Sequence, residues 1–372
     1  MMIDFNLNIQ AETLLWHSFF FLFFYLWAFF SNRDLLYHPK DKRKAKGRSV
    51  ILYICTIILT IAAYTRGDFF HYAEVVQTGN NIEHMESIYI WLTKVVHGNY
   101  LLWRLMVFGG ALLLYQQIIK RFGLESRLST FVFLICFILV FNYARASLAF
   151  AVYFYGLSYL IKPSRNRILG YVFGIVILTC SQFFHNSAIV LIVLTPIILT
   201  PLNKWPMILM VVVVALLYVN KIYDSILEYM WSIEGEETAN VFLYYQQNEA
   251  IKFQGGLSGS FMNLLEYGLF YAPFFIITKD LFFNHIKADS VSIILYKVLF
   301  GIILIATVFA LSSTTTVYFY RVLYMGLIPL CVELVYMFEK EFLSKTHLRF
   351  CVYFGLTYCV YSTLYGIYLK LI

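Results

Sequence analysis

Two arginines set among aromatic residues carry the strongest chemical signal in this chain: Arg145 in Phe141-Asn142-Tyr143-Ala144-Arg145, and Arg321 in Tyr318-Phe319-Tyr320-Arg321. A guanidinium is a planar fork of donors that grips phosphate oxygens in two places. At the start of a helix it adds to unpaired N–H groups and the positive end of the macrodipole, making an anion site. His185, in Phe183-Phe184-His185-Asn186-Ser187, is the candidate proton acceptor, because imidazoles exchange protons near neutral pH. Tyr64-Thr65-Arg66-Gly67-Asp68, followed by His71 and Tyr72, adds a third cation and a carboxylate. Each signal also has a plain structural reading. An arginine at a helix end can snorkel to lipid phosphates, and Arg66 with Asp68 can be a surface ion pair. His185 can seal a tight turn, and Asn186 and Ser187 can cap the next helix.

The elements that must position these residues are apolar runs. The chain is 61% hydrophobic and 13% charged, with 36 Phe and 30 Tyr, and stretches long enough for a ~30 Å hydrocarbon core recur throughout. The runs exceed the strands of an outer-membrane barrel and lack their alternation. The sequence therefore predicts an all-α, polytopic transmembrane helical bundle, a single transmembrane domain over residues 1–372. Breaking it at charge clusters and Pro/Gly/Asn punctuation gives about twelve spans: 13–30, 49–64, 100–119, 128–142, 146–161, 168–183, 187–200, 206–219, 258–278, 291–310, 321–338 and 350–369. The spans near 128–200 are short, and tight turns join them into two packed hairpins. The first run has no basic residue before Arg33 and no small-residue cleavage site, so it reads as a retained helix.

Lys and Arg fix the orientation. The 31–48 loop holds Arg33, Lys40, Lys42, Arg43, Lys44, Lys46 and Arg48 and is expected to be cytoplasmic. Loops on its side carry most of the basic residues. The other side holds Arg66, Lys94, Arg145, Lys221, Lys252, Arg321 and Lys370. Both termini then face outward, and Arg145, His185 and Arg321 begin inward-running helices on the outer face. The net charge of +7 is a topology signal, and no nucleic-acid partner is implied.

Two outer segments are long. Residues 65–99 contain an amphipathic stretch, Ile88–Val96, suited to the interface. Residues 220–257 combine acidic, aromatic and amide side chains that suit carbohydrate, or form a solvated loop. Charges inside spans need partners: Arg104 is a candidate to pair with Glu266, while Lys297 is expected to snorkel inward and Glu333 lies nearer the cytoplasmic end. Glu83, His84 and Glu86 are a weak metal suggestion. The six cysteines all fall in apolar segments without a C-x-x-C pair, so they read as inert thiols. No D-x-D pair, P-loop or Rossmann glycine pattern occurs, which argues against a metal-held nucleotide-sugar donor; any glycosyl donor is expected to be lipid-linked.

Four short stretches, in order, resemble the EpsG/Wzy-type polysaccharide polymerases of bacterial envelopes. Arg66-Gly67-Asp68-Phe69-Phe70-His71-Tyr72 is similar to the family's outer segment after the second span. Glu86-Ser87-Ile88-Tyr89 resembles its E-P-G-Y-like entry to an interfacial helix, with Ser and Ile replacing Pro-Gly. Asn142-Tyr143-Ala144-Arg145-Ala146-Ser147-Leu148-Ala149 resembles N-x-x-R-x-x-L/I-A, and Phe184-His185-Asn186-Ser187-Ala188 resembles F-H-x-S-A. Tyr320-Arg321 matches a looser Y/F-R. The resemblance implies a glycosyltransferase of the cytoplasmic membrane that joins undecaprenyl-diphosphate-linked oligosaccharide donors and acceptors at the outer leaflet. The products in such families are O-antigen, capsule or exopolysaccharide. It implies no cofactor and no metal, an architecture like the multi-span lipid-donor (GT-C-like) enzymes, and a chain-length regulator as a further candidate partner. Carried onto this chain, the catalytic set is His185, Arg145, Arg321 and Asp68, and the substrate-binding set is Arg66, Glu86, Tyr72, Asn142 and Tyr320. The rival readings are a twelve-span transporter, such as a lipid-linked oligosaccharide flippase, and a membrane acyltransferase.

Overall fold

The computed structural model of the chain describes residues 11–37, 45–61, 68–79, 85–143, 146–163, 166–185, 188–199, 256–282, 289–311 and 323–371, with 208, 211, 212 and 215 as isolated helical positions. Among the described residues every regular element is helical, the arrangement that satisfies backbone groups within lipid. In chain order these are α1 (Ala11–Asn32), α2 (Ala45–Ile61), α3 (Asp68–Thr78), α4 (Ser87–Val95), α5 (Tyr100–Arg104), α6 (Gly110–Phe122), α7 (Ser126–Tyr143), α8 (Ser147–Ile161), α9 (Arg167–Cys180), α10 (Ala188–Leu199), α11 (Gly256–Phe282), α12 (Ser290–Leu311), α13 (Leu327–Glu339) and α14 (Lys345–Leu371). A π turn over Leu105–Gly109 joins α5 to α6.

Two compact units emerge, Met1–Ile189 with Leu334–Ile372, and Val190–Glu333. In the first, α7 is the central helix. Phe131 to Ile138 are all buried, so it shows no polar face. Around it pack α1, α2 and α14, while α8 lies along α6 and α9. Helix association in lipid depends on close backbone approach at small residues. A Cβ on Gly156 would lie 2.6 Å from Leu178 N, and one on Gly355 would lie 2.7 Å from Cys136 Cα. The outward faces are apolar instead. Trp16, Phe19, Phe20, Phe23, Trp27 and Phe30 form an exposed stripe on α1 opposite buried Phe21, Tyr25 and Ala28. On α9, Ile168, Leu169, Val172, Phe173, Ile175 and Val176 are exposed while Gly170, Gly174 and Leu178 are buried. Such large exposed apolar faces suit lipid, not water.

Among the described residues, three helical segments are long and apolar enough to cross a membrane, Trp16–Leu36, Tyr100–Phe122 and Ser290–Thr307. Shorter apolar helices include Ser126–Leu139, Ser147–Ile161 and Arg167–Phe183, matching the expected short spans. At 1.5 Å per residue the 15 residues of α8 reach only about 22 Å.

Contacts also sort the ends of the first unit. At one end Arg127 donates to Asn32 Oδ1 (3.1 Å) and meets Asp34 (3.4 Å), which Arg48 approaches to 3.1 Å. There too, Arg121 donates to Ser158 Oγ (2.9 Å) and Lys162 O, Glu125 N donates to Glu339 (2.7 Å), and Arg349 Nε donates to Leu36 O (3.2 Å). These belong to the basic loops placed together on the cytoplasmic side by charge alone. The opposite end gathers Ile61, Glu86, Arg104 and His185. Within this unit the basic loops grouped by charge thus share one end.

In the second unit α11 and α12 form a hairpin. Phe274 stacks on Tyr296 (5.6 Å between centroids), and Tyr271 and Thr307 share a hydroxyl bond of 2.8 Å. The expected span 321–338 is amended in one respect. A turn at Gly326 separates helical residues 323–325 from α13, and Gly326 N donates to Leu323 O (2.8 Å). A second correction concerns Lys297, which is fully buried in the protein and does not reach out along a surface. The expected span 206–219 lies almost wholly outside the described residues, as does segment 220–257 except its last two positions.

Candidate functional site

Segment 65–99, expected on the outer side, holds a helix that periodicity did not reveal, α3, before the expected interfacial helix α4. A tight turn follows α4, with His97 (φ 50°) and Gly98 (φ 74°) in the left-handed region. A Cβ on Gly98 would lie 3.3 Å from Val76 O, so the turn is pressed against the end of α3. Asn99 then caps α5 by accepting from Leu102 N (3.0 Å).

Trp103 is the hub these elements share. It is fully buried, stacked with Tyr72 of α3 (6.1 Å) and Tyr100 (6.0 Å), and tilted against Tyr89 of α4 (5.7 Å). Arg104 beside it is 2% exposed and serves the end of α2, donating from Nε to Ile61 O (2.8 Å) and from Nη2 to Thr60 O (2.8 Å). Its guanidinium lies 4.7 Å from the Phe108 ring, within the π turn. Arg104 thus has partners within its own unit, while Glu266, its candidate partner, lies in the other. Carbonyls left unpaired at a helix end claim the arginine, while Glu266 Oε1 accepts from Tyr324 OH at 2.6 Å in its own unit.

Glu86 and His185 come together, although 99 residues separate them. Glu86 stands at the N-cap of α4 with extended backbone (φ −60°, ψ 144°), and its carbonyl accepts from Tyr89 N (2.8 Å). Its carboxylate makes no capping bond to its own helix. It approaches His185 instead, with Oε1 3.8 Å from Nε2, and both side chains are largely buried at 14% and 16% exposure. His185 is held by its backbone. Its N–H donates to Ser181 O (3.3 Å), and its carbonyl accepts from Ala188 N (3.0 Å) as α10 begins. His185 thus closes the turn with its backbone and presents its ring to a carboxylate.

Tyr72 is half-buried with its ring on Trp103. Asp68 begins α3 and Asn142 lies in α7, but their side chains are outside the described residues. Arg66, Arg145, Asn186, Ser187, Tyr320 and Arg321 lie outside them altogether, as do Glu83 and His84. Among the described residues no group of three or more His, Cys, Asp or Glu is placed to hold a metal ion. Sequence reasoning missed Trp103 as the hub. Its signal was the spacing Tyr100-x-x-Trp103-Arg104, which puts an aromatic and a cation on the first turn of a helix.

A model of the EpsG family matches residues 48–370, nearly the whole chain. None of the curated proteins and none of the solved structures matches.

Proposed function

Because the chain belongs to the EpsG family, which is associated with polysaccharide polymerase activity, we propose that it joins lipid-diphosphate-linked oligosaccharide units at the outer leaflet of the bacterial cytoplasmic membrane. The observation that carries this reading is the Glu86–His185 pair at 3.8 Å. Two stretches with family resemblance, far apart in sequence, meet at one end of the helical unit, on an aromatic frame of Tyr72, Tyr89, Tyr100 and Trp103. In the accompanying topology about twelve spans place both termini and this end outward.

The reaction needs an acceptor hydroxyl to lose its proton as it attacks the anomeric carbon, while the bond from that carbon to the donor phosphate breaks. His185, with its Nε2 facing Glu86, takes that proton, and the carboxylate stabilises the imidazolium that forms. Arg145 and Arg321, with Arg66, are assigned to the diphosphate, which leaves with the bonding electron pair and gains negative charge. Asp68 is the reserve base. No step calls for a metal.

Replacing Arg145 with Ala is expected to abolish polymer ladders in cells while lipid-linked single units persist. Normal ladders would refute the assignment. Purified protein given lipid-linked units separates a polymerase from a flippase, since polymer forms without a second compartment only if the chain is an enzyme.

A further inference from the structure

Glu266 is the sole charged residue of α11 before Lys279 near its other end. The two are 13 residues apart, about 20 Å along the helix. With Lys279 at the cytoplasmic boundary of a ~30 Å core, Glu266 lies about 10 Å inside the opposite boundary. An ionisable group at such depth is costly and calls for a compensating contact. Among the described residues no cation comes within ion-pair distance of it. One oxygen is fixed, Oε1 accepting from Tyr324 OH at 2.6 Å. The residue is only half-buried, and Oε2 has no hydrogen bond from a described residue. Phe270 follows one turn later and packs against Tyr324 (6.3 Å between centroids), while Tyr267 and Tyr271 are half-buried on the same helix.

A carboxylate held by one oxygen, with its other edge open beside aromatic rings, suits a sugar. Hydroxyls donate to the free oxygen, and the half-buried rings of Tyr267 and Tyr271 offer apolar surface to the sugar, with buried Phe270 and Tyr324 behind them. We propose that Glu266 is a glycan-binding residue, accepting hydrogen bonds from hydroxyls of the oligosaccharide unit, and that Tyr324 is its positioning residue. This rests on the polymerase reading for its choice of ligand. A merely structural clamp between α11 and residues 323–325 is the alternative that the test must separate.

The probes are lipid-linked units extracted from cells lacking the chain, and the oligosaccharide released from them by mild acid. Oligosaccharide binding and polymer synthesis are measured separately on the purified full-length protein. Glu266→Gln is expected to weaken oligosaccharide binding about tenfold or more, the scale for losing a charged acceptor. Tyr324→Phe keeps the carboxylate and is expected to weaken binding by only a few-fold. His185→Ala should stop synthesis and leave oligosaccharide binding intact. Wild-type affinity in Glu266→Gln overturns the inference, as does a lowered melting temperature in both variants with affinity unchanged, or failure of the wild type to bind oligosaccharide. Glu266-dependent binding by a wild-type protein that makes no polymer would instead overturn the polymerase reading and leave this one standing.

Discussion

If Glu86 acts through His185, removing the carboxylate should matter only while the imidazole is present. At 3.8 Å the Coulomb energy of a charged pair is about 4 kcal/mol for an effective dielectric near 20. That is an upper bound, because the separation exceeds hydrogen-bond length and the site borders the interface. A working value of about 1–2 kcal/mol is in the range of measured couplings between neighbouring groups. In rate terms this is about 5–30-fold. Glu86→Gln is therefore expected to slow polymer formation by that factor, and His185→Ala by about 10²–10⁴-fold, the usual weight of a general base. The double variant should be no slower than His185→Ala alone. The assay is initial-rate polymerisation by purified protein on lipid-linked units, read as ladders on a gel, with a melting curve for each variant. Multiplying losses in the double variant would refute the dyad, and full activity in His185→Ala would refute the base.

Three further perturbations test the frame. Arg104→Ala strips the donors from Thr60 O and Ile61 O and is expected to cost about 3 kcal/mol in thermal stability, with Arg104→Lys falling between; an unchanged melting temperature would deny the cap. Gly156→Ala drives a Cβ to 2.6 Å from Leu178 N and is expected to destabilise by about 1–3 kcal/mol, whereas Gly110→Ala meets only Leu148 Cδ1 at 3.6 Å and should be neutral or mildly stabilising; equal effects in thermal melts would contradict the packing. Burial pushes the Glu339 carboxyl above its usual range, against the opposing hydrogen bond from Glu125 N. A raised carboxyl favours the fold when protonated, and that contribution fades as pH rises through the folded-state value. Glu339→Gln should accordingly melt at or above the wild-type temperature at neutral pH, the gap closing on acidification; a gap that widens in acid would reverse the assigned sign.

What could be read from sequence follows from what the bilayer enforces. Apolar runs bounded by Lys and Arg give α7 and α8 within two residues of their expected limits and α9 within three, because leaving lipid and ending a helix coincide there. Charge bias alone also grouped the loops carrying Arg48, Arg127 and Arg349, and in the first unit Arg48 and Arg127 share Asp34 while Arg349 donates to Leu36 O. Helix α3 was not legible, since Asp68–Thr78 is too polar for a span and too short for a strong period. Nor was the destination of Arg104. Its type shows that it needs partners, but the carbonyls it serves belong to the end of a helix some 40 residues earlier, and no spacing rule encodes that distance. Glu86 and His185 could be nominated separately from local motifs. Their meeting depends on how α8 and α9 return the chain to the end where α4 begins.

That dependence changes which residues should bear the functional argument. Three arginines in the first unit, Arg104, Arg121 and Arg349, donate to carbonyls at the ends of helical segments, at Ile61, Lys162 and Leu36. Arginine near a helix end is thus an ordinary structural device in this chain, and an outer-face arginine is weaker evidence for a phosphate site than its rarity there implies. A glutamate at a helix N-cap is the reverse case. The local demand on Glu86 is to bond its own helix N–H groups, and its side chain leaves that demand unmet while approaching His185. A side chain that forgoes the nearest stabilising bond to face a titratable ring carries more information than a charge whose local role is satisfied, and the proposed chemistry is best anchored on that pair.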